Sequence, residues 1–143
     1  MSAEENKAIA RQFYGILETG NLSAADEVVA TDYVNHNAIP GQTSGREGVK
    51  EAVTMLQTAF PDLQITIEDQ IAEGDKVATR YTIRGTHQGE FMGIAASGKP
   101  VTWTALVLQR VVSGKIQESW LQWDQLGLMQ QLGVVPPPGS SGH

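Results

Sequence analysis

The order of hydrophobic periods in this chain predicts an α+β fold, with helices first and a curved antiparallel sheet after them. Residues 4–60 carry their apolar side chains at helical spacing, whereas residues 63–124 alternate them with a period of two. No strand pattern passes through a helix into another strand, so βαβ units are excluded, and no internal repeat is present.

Each element follows from local signals. Ile9, Phe13, Ile16 and Leu17 make a helical stripe from Glu4 to Thr19, closed by Gly20-Asn21. Ser23 with Asp26 three residues on reads as a cap for a short helix running to Ala30. Residues 31–41, rich in turn formers, read as a loop. Ser44-Gly-Arg-Glu47 reads as a capping box before the stripe Val49, Ala52, Val53, Leu56 and Phe60, and Pro61 ends that helix. Leu63, Ile65, Ile67 and Ile71 then predict a strand with one buried face. Glu73-Gly-Asp75 turns the chain into a second strand, Lys76 to Thr86, and residues 85–100 form a Gly-rich hairpin connection containing Phe91, Met92 and Ile94.

The strand Val101 to Val112 is apolar on both faces, with Trp103 and Val107 on one and Leu106 and Leu108 on the other. That pattern predicts a central position, helices on one side and a second subunit on the other. Ser113-Gly114 turns into a closing strand. There strict alternation puts Ile116, Glu118, Trp120, Gln122 and Asp124 on one face, and Leu121 and Trp123 on the opposite one. A short helix starts at Gln125. Asp124 therefore has two readings, as its N-cap or as a carboxyl whose Trp neighbour suits it to general acid/base work.

The 143 residues suit a single domain over 1–135, and the Pro/Gly/Ser tail 136–143 is expected to be disordered. A net charge of −6 without any Lys/Arg run argues against a nucleic-acid partner. The absence of cysteine removes disulfides, thiol catalysis and thiolate metal sites. No leader-like or membrane-spanning apolar stretch is visible, which makes a cytoplasmic protein with no membrane partner the expectation. His36, His87 and His143 lack metal-ligand spacing, and no nucleophile-elbow motif occurs, so neither a metal nor a Ser-His-Asp site is expected.

The chain also carries an ordered set of short motifs. They are Tyr33-Val-Asn-His36, Gly45-Arg-Glu-Gly48, Ala59-Phe-Pro-Asp62, Val77-Ala-Thr-Arg80, Gly85-Thr-His-Gln-Gly89 and Phe91-Met-Gly-Ile94. Arg110, Gly114-Lys-Ile116, Glu118, Trp120, Asp124 and Gln131-Leu-Gly133 complete it. In this order and spacing the chain resembles the SnoaL-like polyketide cyclases, or ester cyclases, within the cone-shaped folds related to nuclear transport factor 2 and ketosteroid isomerase. The resemblance implies a curved sheet wrapped on three helices around a deep apolar pocket. It also implies a homodimer joined through the outer sheet face, which would occupy Leu121 and Trp123.

The resemblance favours Asp124 as the acid/base of a cofactor-independent intramolecular aldol condensation on a polyketide ester. His36 is its candidate polar assistant, with loop organisation as the competing role. Trp120 and Trp103 are candidate pocket walls for a flat polycyclic substrate, or else core. Arg80 and Glu118 are candidates for substrate contact or for pairing with each other. His87 sits in a motif better explained as structural, with substrate contact as the alternative. Two other functions stay open: a non-catalytic dimer binding small hydrophobic ligands, and an isomerase or hydroxylase on the same scaffold.

Overall fold

In the computed structural model, which describes residues 2–37 and 43–134, four helices and five strands form one α+β unit around a curved, unclosed sheet. The proposed tail and the end of the predicted loop lie outside the described residues. Helix α1 spans Ala3–Thr19, opened by a capping box between Ser2 and Glu5 and closed at left-handed Gly20. Helix α2 is Leu22–Val28 and α3 is Gly45–Ala59. The strands are β1, Val29–Asn35; β2, Gln64–Glu73; β3, Lys76–Thr86; β4, Pro100–Val112; and β5, Lys115–Trp123. Helix α4, Gln125–Gln131, closes the chain.

The sheet order is β1-β5-β4-β3-β2. The last four strands form antiparallel pairs, while β1 lies parallel to β5. Part of the segment predicted as loop is thus an edge strand. Its turn-forming composition suits an edge, and its partner lies more than eighty residues away, where no local pattern reports it. Two predicted caps also differ. Neither Ser44 nor Asn21, the N-caps of α3 and α2, makes a side-chain cap bond, and Ser23 lies inside α2.

Two bulges decide which side chains face the helices. In β2 the register shifts between Ile67 and Asp69, so Ile65 and Ile67 pack on the core while Ile71 is 71% exposed, contrary to the single buried face predicted. In β5 the register shifts opposite Arg110 and Val111, leaving Gln117 as the extra residue. Ile116 and Ser119 are consequently buried, and Leu121 and Trp123 pack against the core. Glu118, Trp120 and Gln122 turn to the outer side. The division of β5 into a pocket face of Glu118, Trp120 and Asp124 and a dimer face of Leu121 and Trp123 is therefore reversed, because one inserted residue flips every side chain beyond it.

β4 behaves as its composition predicts. Val101, Trp103, Ala105, Val107, Gln109 and Val111 are buried toward the helices, while Leu106 is 53% and Leu108 36% exposed on the other side. The helix-facing side is filled by Tyr14, Leu17, Val53, Phe60, Tyr81, Ile83 and Trp103. Among the described residues no helix is long and apolar enough to cross a membrane.

Candidate functional site

The candidate residues fall into three separate groups. At the end of β5, Asp124 is the N-cap of α4, and its Oδ1 accepts the Gly127 N–H at 2.9 Å. The Asp124 N–H in turn donates to the Thr104 carbonyl at 2.9 Å, fixing the residue against β4. The carboxylate lies over Gly127 so closely that a Cβ there would stand 2.2 Å from Oδ2 and 2.7 Å from Cγ, so any larger residue would displace it. Helix α4 is held in place by buried Leu128 and Leu132, and by Gln131, whose amide donates to the Thr102 carbonyl and accepts the Thr102 N–H. These contacts explain the Gln131-Leu-Gly133 motif as an anchor for the helix that carries the cap.

An open groove of about 300 Å³ adjoins Asp124, lined by Arg80, Thr104, Ala105, Leu106, Gln122 and Trp123. Arg80 and Asp124 therefore share one groove, on the outer side at the end of the sheet. Arg80 pairs with Asp69 on β2 at 2.7 Å rather than with Glu118, because β4 stands between their strands. That pairing holds the guanidinium firmly charged, mainly through the Asp69 hydrogen bond. Asp124 has no ion-pair partner among the described residues.

The second group lies further along the outer face. His36 Nε2 is 2.7 Å from Glu118 Oε2, Arg110 Nε donates to Glu118 Oε1 at 2.6 Å, and His36 stacks on Trp120 with ring centroids 4.5 Å apart. These contacts hold the Glu118 carboxyl below the ordinary glutamate range, the His36 hydrogen bond first and Arg110 second. The His36 N–H bonds to the Ser119 carbonyl, so His36 lies level with Trp120. Asp124 follows four residues along the chain, roughly 13 Å at strand rise. The two catalytic candidates are not brought together within one chain.

The third group is buried. Trp103 contacts Phe60, with centroids at 5.2 Å, and Trp123 at 6.4 Å, so it is core on the inner side while Trp120 lies on the outer side. His87 is fully buried. Its Nδ1 accepts the Ser97 N–H at 3.2 Å, which leaves the proton of a neutral ring on Nε2, an atom without a partner among the described residues. Gly89 lets this hairpin close on α3, since a Cβ there would meet the Thr58 carbonyl oxygen at 2.3 Å. In the Ala59-Phe-Pro-Asp62 motif, Asp62 takes the Thr86 N–H and hydroxyl, both at 2.7 Å, which lowers its pKa, the backbone bond most. Both motifs tie α3 to the sheet.

Residue-by-residue reading missed an inward polar set, Tyr14, Tyr33, Thr79, Tyr81, Gln109 and Ser119. The available signal was Gln109, an amide at an inward position of an otherwise apolar strand.

Comparison with known proteins agrees with this architecture. The profile of the family described as SnoaL-like polyketide cyclase matches residues 7–132. The chain is 29% identical over 132 residues to aklanonic acid methyl ester cyclase DnrD of Streptomyces peucetius, covering 90% of this chain and 91% of that protein. It is 27% identical over 126 residues to nogalonic acid methyl ester cyclase of Streptomyces nogalater, covering 87% and 93%. Among solved structures, wild-type IdmH of Streptomyces antibioticus superimposes with a TM-score of 0.77 at 35% identity, covering 90% of this chain and 98% of that one.

Proposed function

The chain belongs to the SnoaL-like polyketide cyclase family, and from that premise we propose that it closes a ring in a polyketide ester by intramolecular aldol condensation, using Asp124 as both base and acid. In this reading the Asp124 carboxylate removes a proton from a carbon flanked by a ketone and the ester. The resulting carbanion adds to a ketone carbon of the same molecule, forming the C–C bond while the C=O π bond breaks to an alkoxide. The alkoxide then takes the proton back from Asp124, so substrate and product are isomers. A proton between two carbonyls is acidic enough that these steps call for no organic cofactor or metal.

Asp124 itself carries the reading. It is a carboxylate oriented by one backbone N–H, without an ion-pair partner among the described residues, at the edge of a groove. Glu118, by contrast, is locked between His36 and Arg110, which disfavours proton uptake. Arg80 donates one N–H to Asp69, and the guanidinium has further donors for an enolate or ester oxygen across the groove. The names of two relatives, both methyl ester cyclases, support the substrate class. A homodimer belongs to the same reading. Leu106, Leu108 and Trp120 form an exposed apolar patch on the outer face, with Leu108 and Trp120 directly opposite across β4 and β5. His36 and Glu118 lie beside Trp120, roughly 13 Å along the strand from Asp124, and so belong to the dimer contact rather than to the reacting carbon.

The test is incubation with aklanonic or nogalonic acid methyl ester, following the appearance of a product of unchanged mass and altered chromatographic retention. Wild-type protein should produce it, and Asp124→Asn should slow it about 100-fold or more. Full turnover by Asp124→Asn would leave the residue as a helix cap only, a role its bond to Gly127 already fills, and binding without product would favour the carrier function instead.

A further inference from the structure

We propose that Gln131 is a positioning residue for ring closure, its amide bridging β4 to Gly127, the residue whose N–H orients the Asp124 carboxylate. This role presupposes that Asp124 is the group that moves the proton.

The need for a bridge arises where β5 ends. Ala105 and Trp123 are the last cross-strand partners of β4 and β5, and one further bond runs from the Asp124 N–H to the Thr104 carbonyl. The chain then turns into α4, so the backbone N–H and C=O of Thr102 have no strand beside them on that side. Gln131 fills the vacant place. Its Oε1 accepts the Thr102 N–H at 2.8 Å, and its Nε2 donates to the Thr102 carbonyl at 2.7 Å. A longer β5 would have offered the same acceptor and donor from its backbone. Only one orientation of the amide fits, since turning it over would set donor against donor and oxygen against oxygen.

The same Nε2 also donates to the Gly127 carbonyl at 3.2 Å. Gly127 is therefore held from two sides, its C=O through Gln131 to β4 and its N–H on Asp124 Oδ1 at 2.9 Å. With the Asp124 N–H returning to Thr104, the contacts close a ring around the carboxylate. A helix of seven residues is too short to hold its own direction. Buried Leu128 and Leu132 set the depth of α4, but apolar contacts are non-directional. The Gln131 bonds are directional and fix its rotation.

Stability alone does not account for these bonds. Gln131, Thr102 and Asp124 are all exposed, so water would satisfy each group if the amide were lost. Holding a long side chain in one rotamer also costs entropy. What solvent cannot reproduce is the placement of the acid, and a misplacement of about 1 Å can cost about a hundredfold in rate.

The experiment is a kinetic cycle on aklanonic acid methyl ester with Gln131→Leu, Asp124→Asn and the double variant, each assayed well below its melting transition. Gln131→Leu should lower kcat about tenfold with KM within about twofold of wild type. In the Asp124→Asn background the same change should cost less than about twofold, because no proton-moving carboxylate is left to place. An unchanged kcat, or an equal fractional loss in both backgrounds, overturns the proposal and leaves the cyclase reading standing. A second readout needs no turnover. In an amide NMR titration the Gly127 resonance should move as the Asp124 carboxyl takes up its proton, and Asp124→Asn should abolish that movement. Gln131→Leu should reduce the movement by about half or more, and a full movement overturns the proposal. Reduced movement in a protein without turnover would sink the cyclase reading while upholding Gln131 as the holder of the carboxylate. Gln131→Glu keeps the acceptor for the Thr102 N–H but loses both donor bonds, so it should act in the same direction if Gln131→Leu does not fold.

Discussion

Gly127→Ala is the perturbation that best probes how Asp124 is held, because two opposing effects meet at one atom. Alanine in a helix is favoured over glycine by about 1 kcal/mol. The added Cβ would also stand 2.2 Å from Asp124 Oδ2 and 3.0 Å from Oδ1, so the carboxylate must leave the Gly127 N–H. Losing an N-cap costs about 1 kcal/mol, which offsets the propensity gain, and Gly127→Ala alone should be nearly neutral. Asp124→Ala alone loses the cap and should destabilise by about 1 kcal/mol, or roughly 3 °C in Tm for a chain of this size. In the double variant there is no cap left to displace, so the propensity gain is fully expressed and stability returns close to wild type. The cycle should therefore show a coupling of about 1 kcal/mol. Urea unfolding followed by tryptophan fluorescence measures all four proteins. If Gly127→Ala alone stabilises by about 1 kcal/mol and the two changes add, the carboxylate does not rest on Gly127. The same variant keeps the acid but moves it, so ring closure should slow even though stability does not change.

Other outcomes follow from the same geometry. Leu106→Glu places a charge in the exposed patch and should shift sedimentation from dimer to monomer while the melting transition remains; a monomeric wild-type protein would refute the dimer reading. Asp62→Ala removes both bonds to Thr86 and should lower Tm. Because the folded Asp62 pKa is depressed, its contribution is present above the ordinary carboxylate range, near pH 4, and is lost as pH falls through the lower folded value. The acid limb of the wild-type stability curve should thus be steeper than that of Asp62→Ala, and identical limbs would show the bonds to be irrelevant. Arg110→Gln should raise the Glu118 pKa toward its ordinary value, read by carboxyl NMR titration; an unmoved Glu118 would contradict the 2.6 Å contact. His36→Ala should leave the rate of ring closure within about threefold, since general acid–base partners act at hydrogen-bond range, and a loss of a hundredfold would return His36 to the chemistry.

Much of the fold was legible because its signals are local. Helical stripes, period-two alternation, Gly74 and Ser113-Gly114 as turns, and Asp124 as a cap each depend on residues within a few positions of one another. The two apolar faces of β4 marked the centre of the sheet for the same reason. The ordered motifs likewise carried the family, and the structure shows several of them, Asp62 with Thr86 and Gly89 against Thr58, to be joints between α3 and the sheet.

What escaped the sequence was long-range register. The parallel pairing of β1 with β5 depends on residues far apart in the chain. The bulges in β2 and β5 each insert a single residue that no composition rule announces, yet each reverses the side to which every later side chain points. The sequence by itself therefore determined the family and the order of the elements other than β1, and offered the cap at Asp124 as one of two readings. The tertiary structure alone decided that Trp120 faces outward with His36 and Glu118, that Trp123 and Trp103 face inward, and that Tyr14, Tyr81 and Gln109 meet beneath α1. Pairing and bulging are settled by contacts across the sheet, and a linear pattern of hydrophobicity does not record them.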